Sequence, residues 1–303
     1  MSSGHESSAK AILYAFLANL GIAIAKLGAA IYTSSGSMLA EAIHSFADCG
    51  NQILLFIGLK QSEKPADAQH PLGYGKITYF WSFIVAILLF SMGGLFSIYE
   101  GWHKLHNPEQ LSKTWIALVV LGLSIILEFF SLLGCLREIK KIRGEKPFWE
   151  WLKHTRNAEL VVVLGEDNAA ILGLFIAFLF VLAATITGNP AFDAVGSICI
   201  GFILIVISIF ITLRIKGLIV GRSADPEIEK LIEQIVDQDE NIESCLNTIT
   251  MQFGPDIMLA LKLKMKSGIT INEAVTHINL LEKKIKQQIP AIEWCFVEPD
   301  ITD

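Results

Sequence analysis

The 303-residue chain is short of charge. Lys, Arg, Asp and Glu make up 18% of it, against about 25% in a soluble domain. Hydrophobic residues make up 52%, and the mean hydropathy is +0.51. Long apolar runs account for the imbalance, so the chain reads as an integral membrane protein. Among its five cysteines no C-x-x-C occurs, which argues against a cysteine zinc site or a disulfide framework. Cys49, Cys135 and Cys199 fall in apolar runs. No G-x-x-x-x-G-K-[ST] is found, so nothing points to an ATP-driven pump. No H-E-x-x-H and no nucleophile with a nearby base occur, which argues against an enzyme, including an intramembrane metalloenzyme. A formal net charge of -6 argues against a nucleic-acid partner. The start, "MSSGHESSAK", lacks the basic opening of a cleaved signal peptide, and the first apolar run reads as a retained helix.

What is present is six apolar stretches. They run roughly over 11–33, 38–61, 77–100, 114–136, 159–186 and 192–216, each near the ~20 residues that cross a bilayer. The connector between the fourth and fifth carries Arg137, Lys140, Lys141, Arg143, Lys146, Lys153 and Arg156. "TSSGS" and "TGNPAF", after the first and fifth, carry no Lys or Arg. The positive-inside rule then places both termini in the cytoplasm.

Beyond about residue 218 the pattern becomes that of a water-soluble domain. "DPEIEKLIEQIVDQ" reads as a helix with Asp225 as N-cap and Pro226 at the first helical position. "CLNTITMQF" and "DIMLALKLKMK" read as strands joined by Gly254-Pro255-Asp256. A second helix opens on a capping box, Thr270 with Glu273, and "IEWCFVEP" is a last strand. The expected fold is therefore an α-helical membrane protein. Six transmembrane helices (1–217) precede a cytoplasmic α+β domain of order α-β-β-α-β (218–303).

One stretch of the second span, "AEAIHSFADCGNQ", places Glu41, His44 and Asp48 on one helix face. His44 and Asp48 are one turn apart, ~6 Å along the axis, and about 9–15 Å from the outer end. Imidazole nitrogen with carboxylate oxygen suits zinc or another divalent transition metal better than calcium or magnesium. The plainer alternative is that these groups pair only with each other or with neighbouring helices. Ionisable groups inside spans point to function by default. The fifth span, "VVVLGEDNAAILG", brings Glu166 and Asp167 to similar depth, where carboxylates without a cation would repel one another. Other buried groups read as structural. Lys26 is expected to pair with Glu41, and Gly93-Gly94 and Gly196 with Gly201 to permit close helix packing. Glu128 is either neutral or turned into the bundle, and Asn19 has an oxygen to lend to the site.

"SGSMLAEAIHSFADCGNQ", "HPLGYGK", "SIYEGWHKLHNPE" and "FDAVGSICIGFILI" resemble segments of the cation diffusion facilitator (zinc transporter) family. The resemblance spans nearly the whole chain. It implies export of a cytoplasmic divalent cation in exchange for protons, by a homodimer joined through a metallochaperone-like cytoplasmic domain. The cation is zinc first, with iron(II), manganese or cobalt behind; no prosthetic group is implied. The host membrane would be the plasma (inner) membrane in a bacterium. It also implies His44 and Asp48 as ligands of the second helix, and Asp167 as a ligand of the fifth. The family's fifth-helix histidine is replaced by Val163, with Glu166 beside Asp167. This "GED" pattern resembles the branch of mitochondrial zinc exporters. In the loop, Asp67 and His70 keep the family's D-x-x-H spacing, while Tyr74 replaces a second histidine; the alternatives are a second metal site and a plain structured turn. The tail lacks the family's usual histidines, leaving Cys245, Cys295, Glu298 and Asp300 as weak candidates. The competing reading is a transport-deficient member that binds metal as a sensor or scaffold.

Overall fold

A computed structural model describes residues 2–108 and 113–302. It divides into two compact units. The first comprises Met1–Gly58, Trp81–Gly144 and Glu159–Arg214; the second comprises Leu59–Phe80, Glu145–Ala158 and Ile215–Asp303.

The first unit is helical. It contains α1 (Ser2–Thr33), most of α2 (Gly36–Ser62), and a continuous helix built of α3 (Ile77–Leu88), a π-helical segment (Leu89–Leu95) and α4 (Phe96–His106). α5 (Thr114–Arg143) and most of α7 (Ala158–Thr187) and α8 (Ala191–Val220) complete it, while the short α6 (Phe148–His154) belongs to the second unit. Among the described residues, four helices are long and apolar enough to cross a membrane: Ile77–His106, α5, α7 and α8. The described apolar part of α1, Asn19–Thr33, is shorter. α2 has 27 residues but carries Glu41, His44, Asp48, Asn51 and Gln52, which lower its hydropathy.

Small residues set the closest approaches. A Cβ added at Gly94 would lie 2.5 Å from Ile205 Cγ1. One added at Gly201 would lie 2.6 Å from the Gly94 carbonyl and 2.9 Å from Ile98 N. Beside the Ile98 side chain, two of the three obstacles at Gly201 are backbone atoms, which cannot rotate away. Gly201→Ala is therefore expected to cost about 1–3 kcal/mol through overpacking. Thermal unfolding in detergent checks this, and an unchanged midpoint would show that the helices part freely at this crossing.

The π-helical segment explains how one face stays buried. Leu89, Gly93, Ser97 and Gly101 are all buried, at a strict spacing of four. In an uninterrupted α-helix this stripe would drift about 120° from Leu89 to Gly101. One extra residue in a π turn absorbs about 100° of that drift.

The start of α2 is fixed from a distant part of the chain. Asp193, buried in the first turn of α8, accepts from the amides of Gly36 (2.6 Å) and Ser37 (3.3 Å) and from Ser35 Oγ (2.7 Å). These amides have no partner inside the helix, and a carboxylate suits the positive end of its dipole.

In the second unit, α9 (Pro226–Asp237), β1 (Ile242–Phe253), β2 (Asp256–Met265), α10 (Ile271–Gln288) and β3 (Ile292–Pro299) follow in order. β1 pairs antiparallel with β2, and β2 pairs parallel with β3. Ile257, Leu259, Leu261 and Leu263 alternate into the core, packed with Ile232 and Ile235 of α9 and Leu281 and Ile285 of α10. Asp225 accepts from Glu227 N (3.0 Å), and Thr270 with Glu273 forms the capping box, both as the sequence indicates.

Candidate metal site

α2 turns its polar stripe inward. Glu41 and His44 are fully buried, and Asp48 retains 16% of its side-chain exposure. His44 Nδ1 stands 3.6 Å from Asp48 Oδ1. Neither ring nitrogen of His44 has a hydrogen-bond partner, and Asp48 Oδ1 and Asp167 Oδ2 have none either. A buried polar atom left without a partner is costly, so this clustering of orphaned atoms requires an explanation.

The orphaned carboxylates face a cavity of about 70 Å³ walled by four helices. Asn19 comes from α1, Asp48 from α2, Glu128 from α5, and Val163, Glu166 and Asp167 from α7. Since water occupies about 30 Å³ in the liquid, the space admits about two waters, or an ion with part of its hydration. His44 is in contact with Asp48 and is not part of the wall. Glu166 is engaged: its Oε1 accepts from Asn51 Nδ2 at 2.6 Å. Asp167 Oδ1 accepts from Ser131 Oγ of α5 at 3.3 Å. Among the described residues, no three His, Cys, Asp or Glu side chains are drawn tightly enough together to hold one ion. Asp48, Glu166 and Asp167 thus share one cavity, with His44 against Asp48, in an open arrangement rather than a closed coordination sphere.

Lys26 and Glu41 pair as expected. Both are fully buried, with Lys26 Nζ 3.5 Å from Glu41 Oε2 and 2.7 Å from Ser45 Oγ. The Asn51–Glu166 bond and the cavity-facing position of Glu128 were not specified by the sequence. The signal was present only as polar residues at helical spacing on α2 and α5.

Asp67 and His70 belong to the second unit. The Asp67 carboxylate accepts from Tyr74 Oη (2.7 Å) and from the amides of His70 (2.7 Å) and Gln69 (2.9 Å). The Tyr74 hydroxyl and these amides hold Asp67 below the usual carboxylate range, and the same bond pushes the Tyr74 phenol up. His70 Nδ1 lies 3.5 Å from Asp67 Oδ1, with both side chains half exposed. Tyr74 thus engages one of the two Asp67 carboxylate oxygens. In the tail, burial pushes the Cys295 thiol up to about 11, a poor state for a ligand at neutral pH. Asp300 is salt-bridged to Lys262 at 3.0 Å.

Residues 12–213 match the family model of the cation efflux transmembrane domain. A mitochondrial proton-coupled zinc antiporter of Xenopus laevis is 31% identical over 86% of this chain and 46% of its own. Metal tolerance protein C4 of Arabidopsis thaliana is 30% identical over 93% of this chain and 61% of its own. The magnetosome protein MamB of a Magnetospira strain is 21% identical over 92% and 90%. The chain spans about half the length of the zinc antiporters it matches. With its apolar helices and the match across most of its length, this integral membrane protein belongs to the cation efflux, or cation diffusion facilitator, family.

Proposed function

We propose that the protein is a proton-coupled antiporter that exports a divalent transition-metal cation, zinc first, from the cytoplasm by alternating access. The observation that carries this reading is the pair of unpartnered buried oxygens on Asp48 and Asp167 at one small cavity, with the unpartnered His44 imidazole against Asp48. A cation supplies what each of them lacks. Metal binds neutral imidazole and ionised carboxylate, so loading releases protons and returning protons release the metal. The names of the zinc antiporters support zinc ahead of iron(II), manganese or cobalt, and that of the metal tolerance protein supports a metal cation.

In this reading α1 and α2 join the four apolar helices to make six spans over residues 1–217. The cytoplasmic domain, residues 218–303, joins two copies. Both termini lie in the cytoplasm, on the side of the Lys- and Arg-rich connectors. His44, Asp48 and Asp167 bind the ion with Glu166 nearby, and no covalent chemistry is performed. The test is zinc uptake into proteoliposomes carrying an internal zinc dye and a pH dye. Zinc entry with opposite proton movement, lost in His44→Ala and Asp167→Ala, is the expected result.

The second reading is a metal-binding sensor or scaffold that does not transport. Val163 favours it, because an apolar side chain lines the cavity where the family places a histidine. Zinc bound by the purified protein, with no flux of zinc, iron(II) or manganese in liposomes, would establish it.

A further inference from the structure

A site built from His44, Asp48 and Asp167 has three donors, and Val163 leaves the fourth position without one. Four helices reach the cavity, and α5 brings one carboxylate to it, Glu128. Glu128 is partly buried at the depth of an apolar helix, yet it holds no hydrogen bond or ion pair among the described residues. A carboxylate so placed is expensive unless it meets a cation, and the charge of Lys26 acts on it only from beyond ion-pair distance. Ser131, one turn further along α5, bonds Asp167 Oδ1 and holds α5 against α7 at this level. The side chain of Glu128 is also one methylene longer than an aspartate, which gives it reach into the cavity.

The alternatives are less free. Glu166 Oε1 is taken by Asn51 at 2.6 Å. Asn19 offers a neutral amide oxygen, the weaker partner for a divalent ion. Asp48 Oδ1 and Asp167 Oδ2, buried and unpartnered on residues of the same wall, are an independent sign that this cluster awaits a ligand, and the unpartnered His44 stands 3.6 Å from Asp48.

We propose that Glu128 is the fourth metal ligand, taking the place that Val163 leaves without a donor. The inference rests on the metal-site reading above. It gives the site one nitrogen and three carboxylates, a harder donor set than two histidines with two aspartates. Such a set discriminates less against manganese(II) and iron(II) relative to zinc.

The test is titration of the purified full-length protein with zinc chloride and, separately, manganese chloride by calorimetry. Wild type, Glu128→Gln, and Glu128→Gln with Val163→His are compared. Glu128→Gln is expected to weaken zinc binding by at least about tenfold. The double variant is expected to regain zinc affinity but not manganese affinity, because imidazole favours zinc. Zinc binding unchanged in Glu128→Gln would overturn the assignment, as would a loss that Val163→His leaves unrepaired. A wild-type protein that binds neither metal would instead remove the metal site itself, and Glu128 with it.

Discussion

Asp48→Ala is expected to leave a folded protein that moves no zinc. The two halves of this result have separate causes. Asp48 Oδ1 has no hydrogen-bond partner, and the approach to His44, at 3.6 Å, is too long for a strong bond. Removing an unsatisfied carboxylate deletes a desolvation cost along with the group, so the fold loses little and can even gain. Asp193 is the contrast. Its carboxylate satisfies two amides and a hydroxyl at the start of α2, and Asp193→Ala would strip the helix of that cap. Transport responds differently. Asp48 is the residue that both touches His44 and lines the cavity, so it links the buried imidazole to the carboxylates of α7. Losing a ligand in that position is expected to cut flux by at least about 100-fold. Asp48→Asn keeps the shape and drops the charge, and should fail equally. The measurement pairs zinc flux in proteoliposomes with thermal unfolding of the same preparations. Flux at the wild-type rate in Asp48→Ala would sink the transport reading.

How much of this was legible in the sequence depends on the range of the signal. The Asp225 and Thr270 caps, the turn at Gly254-Pro255 and the alternation along β2 are written within a few residues, and they are found in place. The inward face of Glu41, His44 and Asp48 follows from helical spacing alone. The Lys26–Glu41 pair was also readable, because a buried lysine needs a carboxylate; small residues marked Gly94 and Gly201 as packing positions but not as each other's partners. The π-helical segment was not, since "LFSMGGL" contains nothing that an α-helix forbids. Its cause is tertiary: the small residues from Gly93 to Gly101 must all meet α8. The hold of Asp193 on α2 spans 157 residues, and the hold of Asn51 on Glu166 spans 115. No local pattern encodes such distances. For the same reason, spacing nominated Glu166 and Asp167 together but did not tell which is free. Packing decides that by giving Asn51 to Glu166.

Lys26→Met is expected to be among the most damaging single changes to stability, and Lys26→Met with Glu41→Leu to restore most of what it loses. Lys26 and Glu41 are both fully buried, and Ser45 Oγ supplies a further contact to the ammonium at 2.7 Å. Taking away the lysine leaves a buried carboxylate with Oε1 already unpartnered and Oε2 newly so. Breaking a buried pair in this way costs about 3–5 kcal/mol, whereas replacing both partners with apolar groups of similar size is often neutral. Local rearrangement gives little relief, because Gly173 of α7 packs directly against the Glu41 carboxylate. Thermal unfolding of the two singles and the double closes a double-mutant cycle, and a coupling near zero would show that the pair does not hold the helices. Glu41 is one turn from His44 on the same face, so the rescued double also separates stability from transport. If the pair only holds α1 against α2, zinc flux returns with the fold. If flux stays lost in a stable double, the pair acts on the ion as well, through charges held at Glu41, one turn from His44.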